Sequence, residues 1–434
     1  MTFRYTKIRV LRALMLGALC IAAGTSCSLD LENPNAPTED EVTGSADGVL
    51  AVTVGMQAQF AGTIEDYMVT NSLSTDEWGT RGIALISYIS LFTGENFDDS
   101  YAVVETPYAN SYQVIRSANT ALTGAEEVQL GVGTTAGVRA TAYLFKAMAL
   151  GFLVQQYGDV PVDVAEGGAT PRPRDEVLDT VLVLLERART ELAAVTDEDL
   201  ATFTSRVLAS GFDLRNTVDA MLARYYLIDG QYAEAIDAAN RVDLSVLSVL
   251  EYPSPNRNPI ENLAFQLNYV GGLQSFADEA EAGDQRPAFW IDLAADPLAA
   301  NPPDSVIKPL LQYSEPTDPF PLWLPDEMKL IKAEAYTRLG QYNLAEPLVN
   351  QVRTQTSSSV NEPLAGLPAL PATALDSEAE LLAQIAYERR YELYMQGLRW
   401  EDTRRFGPAL TTTPTFTYLP LPQQECNTNP NAGC

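Results

Sequence analysis

The chain has 434 residues, 46% of them hydrophobic, and carries 57 acidic against 28 basic side chains. This composition is typical of a folded globular protein and excludes a mostly disordered chain. The formal net charge of −29 disfavours nucleic acid as a partner, because phosphate recognition requires basic patches. The chain has no histidine, which excludes Ser-His-Asp and Cys-His catalysis and histidine metal sites.

The N-terminal segment is predicted to be a lipoprotein signal peptide spanning residues 1–26. Its first part carries four basic and no acidic side chains, and the apolar run at 13–23 is too short to span a bilayer. Small residues precede Cys27, so we expect this cysteine to carry the lipid anchor; ordinary secretion with a structural Cys27 is the alternative. Removing the segment leaves a charge of 24 − 57 = −33, so membrane contact is expected through the lipid or a protein partner.

Two patterns predict helices in the first half of the chain. Residues 136–156 form a long apolar helix that is predicted to be buried on most sides. The GVGTTAG segment at 131–137 is predicted to be a linker before it, since no strand precedes it and it lacks the lysine of a phosphate loop. Asp175 is predicted to cap a further helix, whose apolar face consists of Val177, Val181, Leu184, Leu185, Ala188 and Leu192.

An internal repeat predicts two helical hairpins. The segments 221–242 and 330–353 share the pattern A-x-x-Y-x-x-x-G-Q-Y at an offset of 110 residues, the difference between Gly340 and Gly230. The glycine is expected to end the first helix of each hairpin, and the small residues allow its two helices to approach closely. This is a TPR-like helix–turn–helix pattern.

Two irregular regions interrupt the helical pattern, at about 72–107 and 252–325. Long loops on a helical scaffold are usually functional, so we expect them to carry a binding surface. The second region contains an acidic cluster that does not match EF-hand spacing, and a solvated loop is preferred over a calcium site. We predict no metal site and no cofactor. The cluster consists of Asp278, Glu279, Glu281 and Asp284.

The segment 381–407 places carboxylates on the apolar face of a predicted helix. Glu388 and Glu392 interrupt a stripe that is otherwise apolar, and buried carboxylates need cationic partners. Basic residues are concentrated in the same segment. We therefore predict a structural ion-pair network, rather than a ligand site, formed by Glu388, Arg389, Glu392, Arg399, Asp402, Arg404 and Arg405.

The two cysteines of the C-terminal tail are predicted to form a disulfide. Cys426 and Cys434 flank a turn-forming NTNPNAG stretch, and an exported protein meets an oxidising compartment. Free thiols remain the alternative.

Six segments resemble one family in the expected order along the chain. The first is the pattern ER-x-x-EL-x-x-x-G-x-R-W-x-D-x-R-R-x-G at 388–407. The others are LENPNAPT (31–38), YQVIRSANTAL (112–122), the Tyr-Gly-Asp-x-Pro helix (139–162), the hairpin at 330–353 and the Pro-x-Pro-x-x-Glu tail (419–431). Together they resemble the SusD/RagB family of nutrient-binding lipoproteins on the outer surface of Bacteroidetes-type bacteria.

The resemblance implies an all-α fold in which TPR-like helix–turn–helix pairs form a right-handed helical scaffold with long irregular loops. It implies one domain at 27–434, with an N-terminal part at about 27–215 and a C-terminal part at about 216–434. It also implies a receptor without catalytic activity that passes an oligosaccharide or peptide to a SusC-like TonB-dependent β-barrel transporter and acts as its lid. The alternatives are a TPR-like adaptor without a small-molecule site and a carboxylate-dependent glycosidase.

The ligand-binding residues are expected in the two irregular regions. Aromatic faces stack on the apolar faces of sugar rings, while arginine and asparagine read hydroxyl or carboxylate groups. The candidates are Trp78, Arg81, Asn96 and Tyr101 in the first region, and Tyr269, Arg286, Trp290 and Tyr313 in the second. Trp400 and Trp323 are expected to pack structurally.

Overall fold

The computed structural model describes residues 43–434, except Glu166, Pro255 and residues 409–411. The predicted signal peptide, Cys27 and the LENPNAPT segment lie outside the described residues.

A bundle of long helices forms the first half of the described chain. The apolar helix α5 lies at its centre and packs against α4, α6, α7 and α1. Its length and composition would suffice to cross a membrane, but 83% of its most apolar window is buried by the surrounding helices, as expected for a core helix. The bundle comprises α1 (Ala46–Gly62), α2 (Ile64–Ser74), α3 (Ile86–Thr93), α4 (Ala102–Glu127), α5 (Val132–Tyr157), α6 (Arg174–Ala193) and α7 (Asp197–Val207).

Two local predictions in this bundle are wrong. The GVGTTAG segment is not a linker, because α5 already begins at Val132. Gly133 and Gly137 serve close packing against α7 instead: a Cβ atom at Gly133 would lie 1.9 Å from the backbone oxygen of Asp199. Asp175 does not cap α6, whose N-cap is Pro173. The carboxylate of Asp159 accepts the hydrogen bond from the Arg174 backbone N–H at 3.0 Å.

The close approach at Gly133 leads to a stability prediction. Gly133→Ala is expected to lower the free energy of unfolding by about 1–3 kcal/mol, because the added methyl group meets backbone that cannot turn away. The matched control is Gly55→Ala within α1, where nothing lies within 4 Å of the added atom. That change is expected to raise the free energy of unfolding by about 0.5–1 kcal/mol through helix propensity. Urea unfolding of both variants measures the difference, and equal effects would contradict the packing explanation.

The repeated segments form the predicted hairpins, and the two hairpins pack on each other. The first consists of α8 (Leu214–Asp229) and α9 (Tyr232–Arg241), and contact between α9 and α13 joins it to the second. Gly230 and Gly340 both have positive φ, at 80° and 71°, at the end of the first helix of their hairpins. The shared alanines are buried, as close helix packing requires. The second hairpin consists of α13 (Pro325–Arg338) and α14 (Tyr342–Arg353).

Short strands join the two irregular regions, although the sequence predicts no sheet. The strands β1 (Trp78–Thr80), β3 (Val270–Leu273) and β4 (Ile307–Lys308) form an antiparallel sheet in the order β1-β3-β4. The strands β2 (Val249–Leu250) and β5 (Phe320–Pro321) pair separately. These strands are only two to four residues long, and β3 contains two glycines. They therefore lack the alternation of apolar and polar residues by which a strand is recognised in a sequence.

Short helices complete the second region and the C-terminal part. The signature segment forms α15, which packs on α13 and α14, and α16, which packs on α15 and α2. The prediction of an all-α fold with TPR-like pairs and long irregular loops is confirmed. The remaining elements are α10 (Pro259–Glu261), a π-helix (Asn262–Gln266), α11 (Gln274–Asp278), α12 (Arg286–Trp290), a 3-10 turn (Ala372–Ala374), α15 (Glu378–Glu392), α16 (Arg399–Phe406) and α17 (Gln423–Thr428).

Candidate functional site

The acidic and basic side chains of the signature segment form buried ion pairs. Asp402 is contacted by Arg389 at 2.9 Å and by Arg405 at 2.8 Å, and Arg405 also reaches Glu334 at 3.0 Å. Burial by itself raises the pKa of Asp402, but Arg389 and Arg405 reverse this and hold it below its usual value. These contacts connect α15 and α16 to α13.

The other charged side chains of the signature segment lie around the ion pairs of Asp402. Arg404 pairs with Glu401 at 2.7 Å. Arg399 is buried, and burial together with the neighbouring Arg390 lowers its pKa. Glu388 and Glu392 instead face Arg286, which comes from the second irregular region. The network therefore includes a residue that sequence analysis assigned to the ligand.

Arg286 is a structural residue. Its side chain has 0% exposed surface and pairs with Asp284 at 2.7 Å and with Glu388 at 2.7 Å. Burial lowers the pKa of Arg286, and the carboxylates around it more than reverse that effect. The expectation that Arg286 contacts a ligand is corrected, because solvent cannot reach it. The prediction of a solvated acidic loop is likewise wrong for Asp284, which is buried against this arginine, while Glu281 pairs with Arg353.

Trp78 is also removed from the ligand-binding candidates. It has 0% exposed surface, because β1 pairs with β3 on one side and α2 and α3 pack against the strand. Trp323 and Trp400 are buried as well, in agreement with the structural role expected for them.

Trp290 and Tyr313 border one small cleft of about 160 Å³. Only 2% of Trp290 and 7% of Tyr313 is exposed. The indole N–H of Trp290 donates to the backbone oxygen of Tyr391 at 2.9 Å, which fixes the ring in the core. The broad stacking role expected for these two rings is corrected, because their faces are covered by protein. Phe289, Gln312 and Asn361 also line the cleft.

Asn96 and Tyr101 lie together at the turn between α3 and α4. The Tyr101 hydroxyl donates to the Asn96 backbone oxygen at 3.3 Å, and Phe97 packs edge-on against Tyr101 with ring centroids 6.0 Å apart. Phe97 also contacts Phe416. This turn is held by its own contacts and by the C-terminal segment.

Arg81 and Tyr269 are brought together directly. The backbone N–H of Arg81, which follows β1, donates to the Tyr269 oxygen at 2.8 Å. The Arg81 guanidinium donates to the Asn268 side-chain oxygen at 2.7 Å, and the ring of Tyr88 lies edge-on to Tyr269 at 6.0 Å. All four side chains are half-buried. We call this group, Arg81, Tyr88, Asn268 and Tyr269, the Arg81–Tyr269 surface.

The local backbone explains why Asn268 and Arg81 meet. The π-helix ends at Gln266, and Asn268 then adopts a left-handed conformation with φ of 56°. Asparagine tolerates this conformation better than most residues. Its side-chain amide donates to the Phe265 and Gln266 backbone oxygens, so its own oxygen turns toward Arg81. The sequence predicts Arg81 and Tyr269 as ligand residues but not Tyr88 and Asn268, for which only the Asn-Tyr pair at 268–269 gives a local signal.

Two carboxylates lie near the surface on α2. Burial, with the adjacent Asp66 adding to it, raises the pKa of Glu65 to about 7, although a hydrogen bond with Tyr88 opposes the shift. Burial raises the pKa of Asp66 to about 6, opposed by a hydrogen bond from Asn110. Glu65 is therefore about half protonated near pH 7, whereas Asp66, with the lower pKa, is mostly ionised there.

The Arg81–Tyr269 surface combines aromatic rings with a charged polar group. The two tyrosine rings lie at 80° to each other, and the Arg81 guanidinium has further N–H donors beyond the one that Asn268 accepts. Exposed aliphatic side chains lie close to these residues along the chain. They are Ile83, Leu85, Ile86 and Leu267.

Two family models match the chain. The model described as SusD family matches residues 327–417, and the model described as starch-binding and associating with the outer membrane matches residues 29–209. Together they match 91 + 181 = 272 of the 434 residues. No curated protein sequence matches the chain.

Solved structures match it over nearly its whole length. A SusD superfamily protein from Bacteroides thetaiotaomicron has a TM-score of 0.70 at 16% identity and covers 89% of this chain and 98% of its own. A laminarin-binding SusD-like protein has a TM-score of 0.69 at 16% identity, with coverage of 89% and 98%. NanU from Bacteroides fragilis has a TM-score of 0.63 at 15% identity, with coverage of 88% and 93%. At these identities the similarity establishes the fold.

Proposed function

This chain belongs to the SusD family, and we propose that it binds glycans at the outer membrane through the Arg81–Tyr269 surface. The observation that carries the proposal is the meeting of Arg81 and Asn268 beside the paired rings of Tyr88 and Tyr269. Such a surface combines stacking area with fixed polar groups, which is what sugar rings require.

Two similarities support a glycan over a peptide. The matched family is described as starch-binding, and one matching structure is named as laminarin-binding. The acidic surface is also compatible with a neutral ligand, since stacking and hydrogen bonding do not depend on its net charge. A peptide remains the alternative ligand.

The proposed partner is a SusC-like TonB-dependent transporter, over which the protein acts as a lid. Attachment is proposed through an acyl chain on Cys27. No chemical step is required, because binding energy alone holds the ligand until the barrel takes it. Co-purification from outer membranes tests the partnership: the barrel is expected to elute with the tagged protein, and elution without it contradicts the lid model.

The ligand surface is tested by removing one ring at a time. Tyr269→Ala and Tyr88→Ala are each expected to weaken glycan binding by about 2- to 10-fold, since one aromatic contact contributes about 0.5–1.5 kcal/mol. Calorimetry against laminarin and starch oligosaccharides and a peptide panel measures the loss. Tyr232→Ala, a half-buried tyrosine at the start of α9, is the matched control.

The same panel separates the rival functions. A TPR-like adaptor would bind the transporter but no glycan or peptide, and unchanged affinity in both tyrosine variants would reject the Arg81–Tyr269 surface as the site. A glycosidase would release reducing sugar from the oligosaccharides. We expect no release, because the two carboxylates nearest the surface are consecutive residues on α2, so they leave the helix in different directions.

A further inference from the structure

Three buried carboxylates converge outside the Arg81–Tyr269 surface. Asp326 lies at the start of α13, Glu392 at the end of α15, and Glu362 in the connection between α14 and α15. One oxygen of each lies within 4.8 Å of one oxygen of the other two. The exposed fractions of the three residues are 0%, 0% and 5%.

Within the described part of the chain, four carboxylate oxygens of this group lack donors. Among the residues that the structure describes, Asp326 Oδ2, Glu362 Oε2 and both carboxylate oxygens of Glu392 accept no hydrogen bond. Arg286 comes to 3.5 Å from Glu392 Oε2, without hydrogen-bond geometry. A buried carboxylate oxygen without a partner costs several kcal/mol, so four of them in one place require an explanation.

The donors that reach this group bind only one oxygen of Glu362 and one oxygen of Asp326. Gln355 donates to Glu362 Oε1 at 2.8 Å, and Ser358 also donates to Oε1. Lys329 pairs with Asp326 through Oδ1. Each of the three carboxylates thus keeps at least one oxygen without a donor from the described residues, and a cation between the carboxylates would stabilise this arrangement.

The surrounding ion pairs do not balance the charge. Arg286 is shared with Asp284 and Glu388, Arg353 with Glu281 and Glu388, and Lys329 is the third base. With all acids ionised, six carboxylates face three cationic side chains in this connected group, giving −6 + 3 = −3. A divalent ion would remove most of this excess. Without an ion, burial and the neighbouring Asp326 raise the pKa of Glu392 above its usual value, so a proton competes with a cation for this group.

We propose that Asp326, Glu362 and Glu392 bind a Ca²⁺ ion. Ca²⁺ takes oxygen ligands at about 2.3–2.6 Å, so two oxygens on opposite sides of the ion can lie about 4.8 Å apart. Its coordination geometry is flexible, which suits four oxygens from three carboxylates with water completing the shell. Mg²⁺ demands near-ideal octahedral geometry and releases water reluctantly, and it fits this set less well.

The ion would join three segments that are distant in sequence: the start of α13, the 354–377 connection and the end of α15. The Trp290–Tyr313 cleft lies close to the proposed ion along the chain. Its lining residue Leu324 is two residues before Asp326, and its lining residue Asn361 directly precedes Glu362. Calcium would therefore stiffen the second hairpin and one wall of this cleft. The inference is independent of the glycan function.

Calcium titration of the chelator-treated protein tests the site. Calorimetry is expected to give one Ca²⁺ per chain, and Ca²⁺ at 100 times its Kd is expected to raise the Tm by about 3 °C, given the unfolding entropy of a chain this size. Mg²⁺ at the same concentration is expected to give a smaller shift. A Tm that calcium leaves unchanged, with no heat of binding, overturns the proposal.

Isosteric variants locate the ion. Asp326→Asn and Glu392→Gln are each expected to lose most of the calcium-dependent Tm shift, while the exposed control Asp237→Asn keeps it. Removing one charge relieves repulsion, so the variants are expected to fold without calcium. If one variant does not fold, the other gives the same readout. Full calcium responses in both would place the ion elsewhere and reject this site.

Discussion

Replacing Arg286 with methionine is expected to lower the free energy of unfolding by about 3–5 kcal/mol, the largest effect of any single change considered. The guanidinium is fully buried and is the contact that Asp284 and Glu388 share. Without it the buried Asp284 loses its cationic partner and Glu388 keeps only the pair with Arg353 at 3.3 Å, so the cost of burying these carboxylates is no longer fully offset. Urea unfolding monitored by circular dichroism measures the loss.

Arg206→Met is the matched control. Arg206 pairs with Asp47 at 2.8 Å, but the arginine side chain is 52% exposed and the aspartate 88%. Solvent screens such a pair, so the change is expected to be below about 1 kcal/mol. An Arg286→Met protein as stable as this control would show that the network contributes little. The ion-pair network would then serve to select one folded arrangement over others, not to stabilise it.

Glu77 is expected to make the protein less stable as the pH rises from about 4.5 to about 7. Burial raises its pKa from 4.5 to about 7, although hydrogen bonding to Ser72 and the field of Arg399 oppose the shift. The folded state therefore holds a proton that the unfolded state has released in this window. The contribution of Glu77 to stability is greatest below pH 4.5 and decreases by about 3 kcal/mol by pH 7.

Glu77→Gln isolates this contribution. The amide keeps a hydrogen-bonding side chain of the same size and does not titrate, so the variant is expected to match the parent near pH 4.5 and to be about 3 kcal/mol more stable at pH 8. Unfolding free energies at four pH values, with the exposed Glu234→Gln as control, provide the comparison. A constant difference between variant and parent across this range would show that Glu77 is ionised in the folded protein throughout.

Repeated helical patterns predicted much of the scaffold. Periodicity and the glycines at 230 and 340 were sufficient for the hairpins, because helix formation and helix termination depend on residues within a few positions. The carboxylates of the signature helix indicated an ion-pair network for the same local reason. The sheet escaped prediction, since its strands are short and are defined by partners nearly 200 residues apart.

The proposed binding surface depends on tertiary structure. Composition and motifs alone determined a helical, strongly acidic chain with a charged signature helix and aromatics in two irregular regions. The short sheet that joins the two regions decides which side chains solvent can reach. Arg81 and Tyr269 stay partly exposed, whereas Arg286 and Trp78 are buried. Exposure is a property of what packs on a residue, and those neighbours come from distant parts of the chain, so no local pattern specifies it.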